Sequence, residues 1–349
     1  MKKLIENSIL GIIAAVVLAA VPTILSAQNT PTAPPAKPEK PAKTEKFERI
    51  SRNWAAKLMV GGDTSERSIK VDSNVNLSLC VTQGTIKVNG WNRNEVRVFV
   101  QDGSKFGFKV QLKSPKTGDP ALLMVTGVET KNKYAAPTEC IWGNEIEIDV
   151  PVNAAISIKG QETTTSIDSV RKAIVRTIGG DISLRNISSG ISASAGQGDI
   201  TVEESEGAIM LDSTTGNILV FDAGPSEIGD IFKAKTNSGS ISLQQLGYRE
   251  MEVGSISGSV AFNGEILSGG SYSLSTSKGS IRLAIPANTD CKFSVTYGFG
   301  TFNSELPYKT LTELISQGPI KNVVATFGKG GDALLRMSTN NGSISIKKQ

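Results

Sequence analysis

Residues 180–220 read GDISLRNISSGISASAGQGDITVEESEGAIMLDSTTGNILV. The motif Gly-x-Ile-x-hydrophobic starts in this stretch at Gly180, Gly198, Gly207 and Gly216, and apolar and polar residues alternate after each glycine. An alternation with a period of two is typical of a strand that buries one of its faces. Glycine accepts positive φ angles, and nearby Ser, Thr and Asn side chains hydrogen-bond to local backbone, so these residues suit sharp corners. The stretch therefore predicts short strands joined by tight turns.

The motif recurs along most of the chain. Copies outside that stretch start at Gly84, Gly239, Gly258, Gly279 and Gly342. From Gly180 to Gly279, successive motif glycines are 18, 9, 9, 23, 19 and 21 residues apart, which gives a unit of about 20 residues. A period of this size indicates stacked units that bury a shared core. We predict an all-β chain in which residues 151–349 form a single-chain β-solenoid. Because Asn-Gly and Ser-Gly also suit hairpin turns, an antiparallel β-sandwich is the alternative.

Residues 68–150 lack the tight repeat and carry longer alternating strands. In the first of them, Val71, Val75, Leu77, Leu79 and Val81 share one parity. We expect a β-rich lead-in that packs on the first coil of the solenoid and covers its open edge. Only residues 309–316, which read KTLTELIS, have a pattern that could form a helical turn or two.

The N-terminus carries the pattern of a targeting segment. A basic start at Lys2 and Lys3 precedes an almost wholly apolar run over residues 9–25. This pattern predicts a signal peptide over residues 1–27, although the run is also long enough for an uncleaved membrane anchor. Residues 28–67, rich in Pro, Lys and Glu over their first half, predict a disordered linker. We expect an exported protein of the periplasm, cell envelope or extracellular space, in contact with a membrane only if the anchor is kept.

Composition narrows the function classes. The 349 residues contain no histidine, which excludes Ser-His-Asp and Cys-His catalysis and His-ligated zinc. Lys and Arg number 37 against 33 Asp and Glu, and a net charge of +4 argues against a nucleic-acid-binding protein. Asp181, Asp199 and Asp230 stand at corners without a second acid at constant spacing, and the nine-residue copies lack the recurring Asp of calcium-binding nonapeptides. We predict no enzyme activity, no metal and no cofactor.

The region from residue 153 to residue 347 resembles the bacterial putative-adhesin family of unknown function, exported envelope proteins with Gly-Asp/Ser-Ile β-strand repeats. The segments that carry the resemblance are VPVNAAISI at 150–158, IPANT at 285–289 and GGDALL at 330–335, together with the repeated Gly-Asp/Ser-Ile corners. The resemblance implies an adhesin-like envelope protein and no catalytic motif. Residues 223–231 depart from the even spacing and are expected to bulge outward as a loop.

The residue after each corner glycine, and the residue two places further on, are expected to point outward. In stacked coils about 4.8 Å apart, the first of these would form a ladder of hydroxyl, amide and carboxylate groups. Such a ladder matches the repeating hydroxyls of a polysaccharide, so we predict an envelope or extracellular polysaccharide or protein as the partner. A structural or signalling-associated envelope module without a ligand is the alternative, and a β-helix polysaccharide-active enzyme is the third class. The candidate ladder residues are Asp181, Asp199, Asn217, Ser240, Ser259 and Ser280.

The three cysteines permit at most one bridge within the chain. Cys80 and Cys140 both lie in the lead-in and are the pair we predict to be bridged. Cys291 shares its parity with Phe293 and Val295, which predicts a buried free thiol.

Export predicts that the chain loses its targeting segment. Mass spectrometry of the protein isolated from its native host should show a mature N-terminus near Gln28, because the apolar run is followed by small residues that a signal peptidase accepts. An intact Met1, together with retention in the membrane fraction, would show that the segment is an anchor.

Overall fold

The computed structural model describes residues 64–111, 119–128, 140–315 and 318–349. Every regular secondary-structure element assigned within these ranges is a β-strand. The predicted signal peptide, and all but the last residues of the predicted linker, lie outside the described residues. In the described part of the chain no helix is long and apolar enough to cross a membrane.

The strands fall into a lead-in group and a repeat group. The lead-in strands are β1 (Ser65–Lys70), β2 (Asn76–Trp91), β3 (Glu95–Gln101), β4 (Phe106–Gln111), β5 (Leu122–Gly127) and β6 (Glu145–Pro151). The repeat begins with β7 (Ala155–Asp168), β8 (Lys172–Gly179), β9 (Ile182–Arg185), β10 (Ile191–Gln197), β11 (Ile200–Glu206), β12 (Ile209–Thr215), β13 (Ile218–Gly224), β14 (Ile231–Ser238), β15 (Ile241–Leu246) and β16 (Glu250–Ser257). It ends with β17 (Val260–Asn263), β18 (Ser271–Lys278), β19 (Ile281–Ile285), β20 (Cys291–Phe299), β21 (Phe302–Ser304), β22 (Tyr308–Ile315), β23 (Lys321–Phe327), β24 (Leu334–Asn341) and β25 (Ile344–Lys348).

Each coil of the repeat supplies two strands that meet at a glycine corner. The first strands pair in parallel from coil to coil, in the order β8, β10, β12, β14, β16 and β18, and we call this series row A. The second strands pair in parallel in the order β9, β11, β13, β15, β17 and β19, and we call this series row B. The predicted β-solenoid is therefore confirmed, and the parallel pairing excludes an antiparallel sandwich for these coils.

The core is a set of stacked apolar columns between the two rows, and it contains buried aromatic rings such as Phe232 and Tyr248 beside the aliphatic side chains. One column consists of Ile182, Ile200, Ile218, Ile241 and Val260, which lie in register in row B and are each at most 1% exposed. Within each strand, the residues that alternate with the buried ones face outward, as the alternation predicts. A narrow apolar core of this kind forms only when coils stack, because one coil alone leaves its inward side chains in water.

The corners require glycine because neighbouring coils approach one another closely there. Gly216 has a φ of +155°, and a Cβ added to it would overlap the carbonyl oxygen of Gly198 in the preceding coil. Gly239 stands in the same relation to Gly216. A side chain at either position would push two coils apart and disturb the stacked columns on both sides of the corner.

At five of the corners, a buried hydroxyl three residues before the glycine completes the contact between coils. It donates a hydrogen bond to the carbonyl oxygen of the corner glycine in the adjacent coil, at 2.7 to 3.3 Å. Ser or Thr is suited to this position because a buried carbonyl without a donor costs about 1–3 kcal/mol. The residues concerned are Ser213, Thr236, Ser255, Thr276 and Thr339, all at most 5% exposed.

The last coil of the chain does not lie at the end of the solenoid. Strand β24 pairs in parallel with β18 on one side and with β20 on the other, and β25 likewise lies between β19 and β21. The corner at Gly342 therefore stacks directly on the corner at Gly279, whose carbonyl oxygen leaves no room for a Cβ on Gly342. The intervening residues form the outermost coil and the antiparallel strands β22 and β23 that follow it.

Residues 309–316, for which a helical turn was predicted, belong mostly to strand β22. The prediction was wrong because β22 pairs with β23 in an antiparallel ladder, with a register shift between Thr310 and Thr312. The short segment has both helical spacing and β-branched residues, and the strand partner decides between the two conformations.

The lead-in continues the two rows rather than lying on top of them. The long strand β2 pairs in parallel with β7 from Asn76 to Asn89 and thus extends both rows by one coil. Beyond β2, β5 and the antiparallel β4 continue row A, and β6, β3 and β1 continue row B. Strand β1 begins at Ser65, inside the segment predicted as linker.

The cysteines and the insert lie in well-defined surroundings. Cys80 and Cys140 form a disulfide with their Cα atoms 4.4 Å apart, which attaches the segment after residue 139 to β2. Cys291 is a buried free thiol whose pKa is raised to about 11, first by burial and then by the charge of Asp290.

Residues 225–230 of the predicted insert form an outward loop in which Ile228 is fully exposed.

Replacing a corner glycine should destabilise the fold far more than replacing a glycine that has open space around it. Gly216→Ala is expected to lower the free energy of unfolding by about 2–4 kcal/mol, because the methyl group meets the backbone of the preceding coil. Gly224→Ala is the matched control, since a Cβ at Gly224 meets nothing within 4 Å. Urea denaturation followed by circular dichroism should separate the two variants, and equal stabilities would contradict the proposed corner packing.

The cysteine arrangement predicts one free thiol per chain. Thiol titration of the non-reduced, denatured protein should count one, belonging to Cys291. The native protein should react slowly at pH 8, because the raised pKa keeps this buried sulfur protonated. A count of three in the denatured protein would show that Cys80 and Cys140 are not bridged.

Candidate binding surface

The six predicted ladder residues lie along one edge of the solenoid, at the corner where row A turns into row B. Asp181, Asp199, Asn217 and Ser240 are exposed, and Ser259 and Ser280 are half-buried. The ladder is longer than the sequence indicated, since Ser343 follows Ser280 and Thr301 donates a hydrogen bond to Ser343 at 3.2 Å. The spacing of residues in the sequence could not reveal that Ser343 stacks on Ser280, because 63 residues separate the two.

The carboxylate and amide members of the ladder bind the backbone of the next coil. The backbone N–H of Asp199 donates to Oδ1 of Asp181 at 2.8 Å, and the N–H of Asn217 donates to Oδ1 of Asp199 at 2.7 Å. The N–H of Ser240 donates to Oδ1 of Asn217 at 2.9 Å. Each side chain therefore satisfies a donor at the corner, where the backbone turns from one row into the other.

The serine members repeat this contact at longer distances. The N–H of Ser280 donates to Oγ of Ser259, and the N–H of Ser343 donates to Oγ of Ser280, both at 3.3 Å. A shared backbone contact explains why Asp, Asn and Ser all occupy this column, because each offers a short side-chain acceptor. Part of the hydrogen-bonding capacity of the ladder is thus used within the protein, and a ligand-binding role for these six residues stays a prediction.

The second outward position gives a row of side chains that are free to meet a ligand. These residues lie in register on the outer surface of row B, beside the ladder. None of their side chains makes a hydrogen bond or ion pair within the residues that the structure describes, and none is buried. They are Ser183, Thr201, Leu219, Ser242, Ala261 and Arg282.

A groove lies beside the N-terminal end of the ladder. Its volume is about 510 Å³, and Gly179 stands in register between Glu162 and Gln197, which also line it. Ile178 stands at its edge with 68% of its surface exposed. The groove offers amide and carboxylate groups on an open surface, and sequence reasoning missed it because its shape depends on which coils are adjacent.

The acidic residues considered for catalysis serve local structure. Oδ2 of Asp230 accepts the backbone N–H groups of Glu227 and Ser226 at 2.9 Å, and these hydrogen bonds, first that of Glu227, lower the pKa of the Asp230 carboxyl. Asp149 forms an ion pair with Arg97 at 2.7 Å. Among the residues that the structure describes, no group of three or more His, Cys, Asp or Glu side chains could hold a metal ion.

Comparison with known proteins gives matches to solved structures alone. No family model and no curated protein sequence matches the chain. A putative cell adhesion protein from Clostridium sporogenes is 10% identical with a TM-score of 0.28, and the match covers 82% of this chain and 100% of that one.

Two further matches carry adhesin names. A putative adhesin from Bacteroides fragilis is 15% identical with a TM-score of 0.30, covering 83% of this chain and 98% of that one. One from Parabacteroides distasonis is 8% identical with a TM-score of 0.34, covering 82% and 97%.

The ladder contacts predict a stability effect that depends on the acceptor atom and not on charge. Asp199→Ala should lower the free energy of unfolding by about 1 kcal/mol, because the N–H of Asn217 loses its acceptor. Asp199→Asn keeps the acceptor oxygen and should lie within about 0.5 kcal/mol of the unmodified protein. Urea denaturation at pH 7 provides the comparison, and an unchanged midpoint for Asp199→Ala would show that the contact contributes nothing.

Proposed function

We propose that the chain is an exported, non-enzymatic, adhesin-like envelope protein whose row B surface binds a glycan or another envelope component. The observation that carries this proposal is the row of outward side chains that runs in register from Ser183 to Arg282. These side chains project from a rigid sheet and hold no partner within the described residues. Adhesion requires such a presented surface and no reacting group.

The spacing of the coils sets the distance between neighbouring hydroxyl groups on this surface. Neighbouring parallel strands lie about 4.8 Å apart, so the hydroxyls of Ser183 and Thr201 recur at roughly the length of a sugar residue. Each hydroxyl both donates and accepts hydrogen bonds, as sugar hydroxyls do. Single contacts of this kind are weak, and a polymer that engages several coils at once gains affinity through effective concentration.

A structural envelope module without a ligand is the second candidate. The observation in its favour is the capping of backbone N–H groups by Asp181, Asp199 and Asn217, which accounts for these residue types without any ligand. The two candidates differ in what they require of Ser183 and Ser242, since neither side chain contributes a described contact within the protein.

Affinity electrophoresis in gels with embedded xylan or dextran, together with co-sedimentation with purified peptidoglycan, tests the proposal. The double variant Ser183→Gln and Ser242→Gln should lose at least about tenfold in affinity for the polymer that retains the unmodified protein, because bulkier side chains break the flat surface. The matched control is Ser273→Gln with Ser294→Gln, which makes the same change on outward residues of row A.

The outcomes separate the two candidates. Loss of retention in the row B variant alone, with melting temperatures unchanged, supports glycan binding at this surface. Equal retention of both variants places the binding elsewhere. If none of the three polymers retains the unmodified protein, the structural module is the better description.

A further inference from the structure

Four basic side chains gather on the outer surface of row A, close to its N-terminal end. Lys159 on β7 and Arg176 on β8 are direct register partners, so they project side by side from adjacent parallel strands. Lys172 opens β8 and Arg171 immediately precedes it. Lys159, Lys172 and Arg176 are exposed, and Arg171 is half-buried. We call these four residues the basic patch.

No carboxylate neutralises the basic patch within the residues that the structure describes. Lys159, Lys172 and Arg176 take part in no ion pair or hydrogen bond there. Like charges that face each other across neighbouring strands are destabilising, so the pair Lys159 and Arg176 carries a cost that no residue described in the structure offsets.

Elsewhere on row A, the repulsion between two neighbouring basic side chains is offset by a carboxylate. Lys233 and Lys235 on β14 project from row A in the same way, and Glu252 on the adjacent β16 binds both of them, at 3.2 and 2.6 Å. These hydrogen bonds, first that of Lys235, lower the pKa of the Glu252 carboxyl. In the described part of the chain, the basic patch lacks the anion that its counterpart on β14 has.

A cavity of about 360 Å³ opens beside the basic patch and combines charge with an apolar wall. Arg171 and Lys172 lie on one side, and Leu122 and Pro120 lie among the other residues that line it. Nε of Arg171 donates to the carbonyl oxygen of Asn153 at 3.0 Å, and this is the one hydrogen bond of its guanidinium within the described residues. The cavity therefore presents two cations next to a surface on which a ring can pack.

We propose that the basic patch and its cavity bind an acidic polysaccharide. A sugar ring packs against Leu122 and Pro120, and its carboxylate or sulfate group meets Arg171 and Lys172. The next acidic group along the polymer meets Lys159 and Arg176, where it supplies the missing countercharge. Arginine beside lysine suits this role, because the guanidinium forms paired hydrogen bonds with carboxylate and sulfate oxygens. This site lies on row A and does not depend on the proposed binding at row B.

Affinity electrophoresis with polygalacturonate, dextran sulfate and neutral dextran tests the proposal. The full chain should be retarded by at least one of the two acidic polymers. The double variant Lys159→Gln and Arg176→Gln should weaken that binding at least about tenfold, since two charge-assisted contacts are lost. The matched control, Lys233→Gln with Lys235→Gln, removes the same charge from the same row and should change the affinity less than about twofold, because Glu252 already holds both lysines.

Three results would overturn the proposal. The first is that neither acidic polymer retards the unmodified protein more than neutral dextran does. The second is an equal loss in the two double variants, which would indicate a response to net charge. The third is binding to phosphatidylglycerol vesicles without binding to either acidic polymer, which would assign the patch to a membrane surface. Lys159 and Arg176 are exposed and repel each other, so the expected loss should be accompanied by a melting temperature that is unchanged or slightly higher. Retention by xylan or peptidoglycan reports separately on row B.

Discussion

The close approach of backbone to backbone at the glycine corners fixes the rest of the structure. The carbonyl oxygen of Gly198 occupies the place where a side chain of Gly216 would be, and the relation repeats from coil to coil. This contact allows one register between coils, and the same register aligns the isoleucine column on one side of the corner. It also brings the buried hydroxyls within reach of the corner carbonyls, so the apolar and polar parts of the interior depend on one geometric condition.

Surface side chains near the corner fall into two groups, those that hydrogen-bond to the protein's own backbone and those that do not. The positions directly after the corner glycines hold Asp181, Asp199 and Asn217. The side chains of these residues accept hydrogen bonds from the backbone of the next coil. Residues two positions further along, such as Ser183 and Ser242, make no side-chain hydrogen bond within the described residues. A regular surface pattern therefore has two origins, and hydrogen-bond partners distinguish side chains that stabilise the coil from side chains that are available for recognition.

One end of the solenoid is formed by segments that are not the end of the described chain. Strands β24 and β25 insert between two coils, and β22 and β23 extend the sheet beyond them. At the other end β2 lies inside the sheet, and β4 and β1 are the outer strands. Antiparallel strands at both ends pair with the outermost parallel coils and cover part of the backbone edge that those coils would otherwise expose.

The sequence by itself determined the local features of this protein. Alternation and corner glycines from Gly180 to Gly279 predicted strands, corners and outward ladder residues, because neighbouring residues alone set those conformations. Tertiary structure decided which segments are partners. It placed Gly342 on Gly279, made residues 308–315 a strand, and set Lys159 beside Arg176. These outcomes depend on hydrogen bonds between distant segments, and the spacing of residues along the chain carries no signal for that choice.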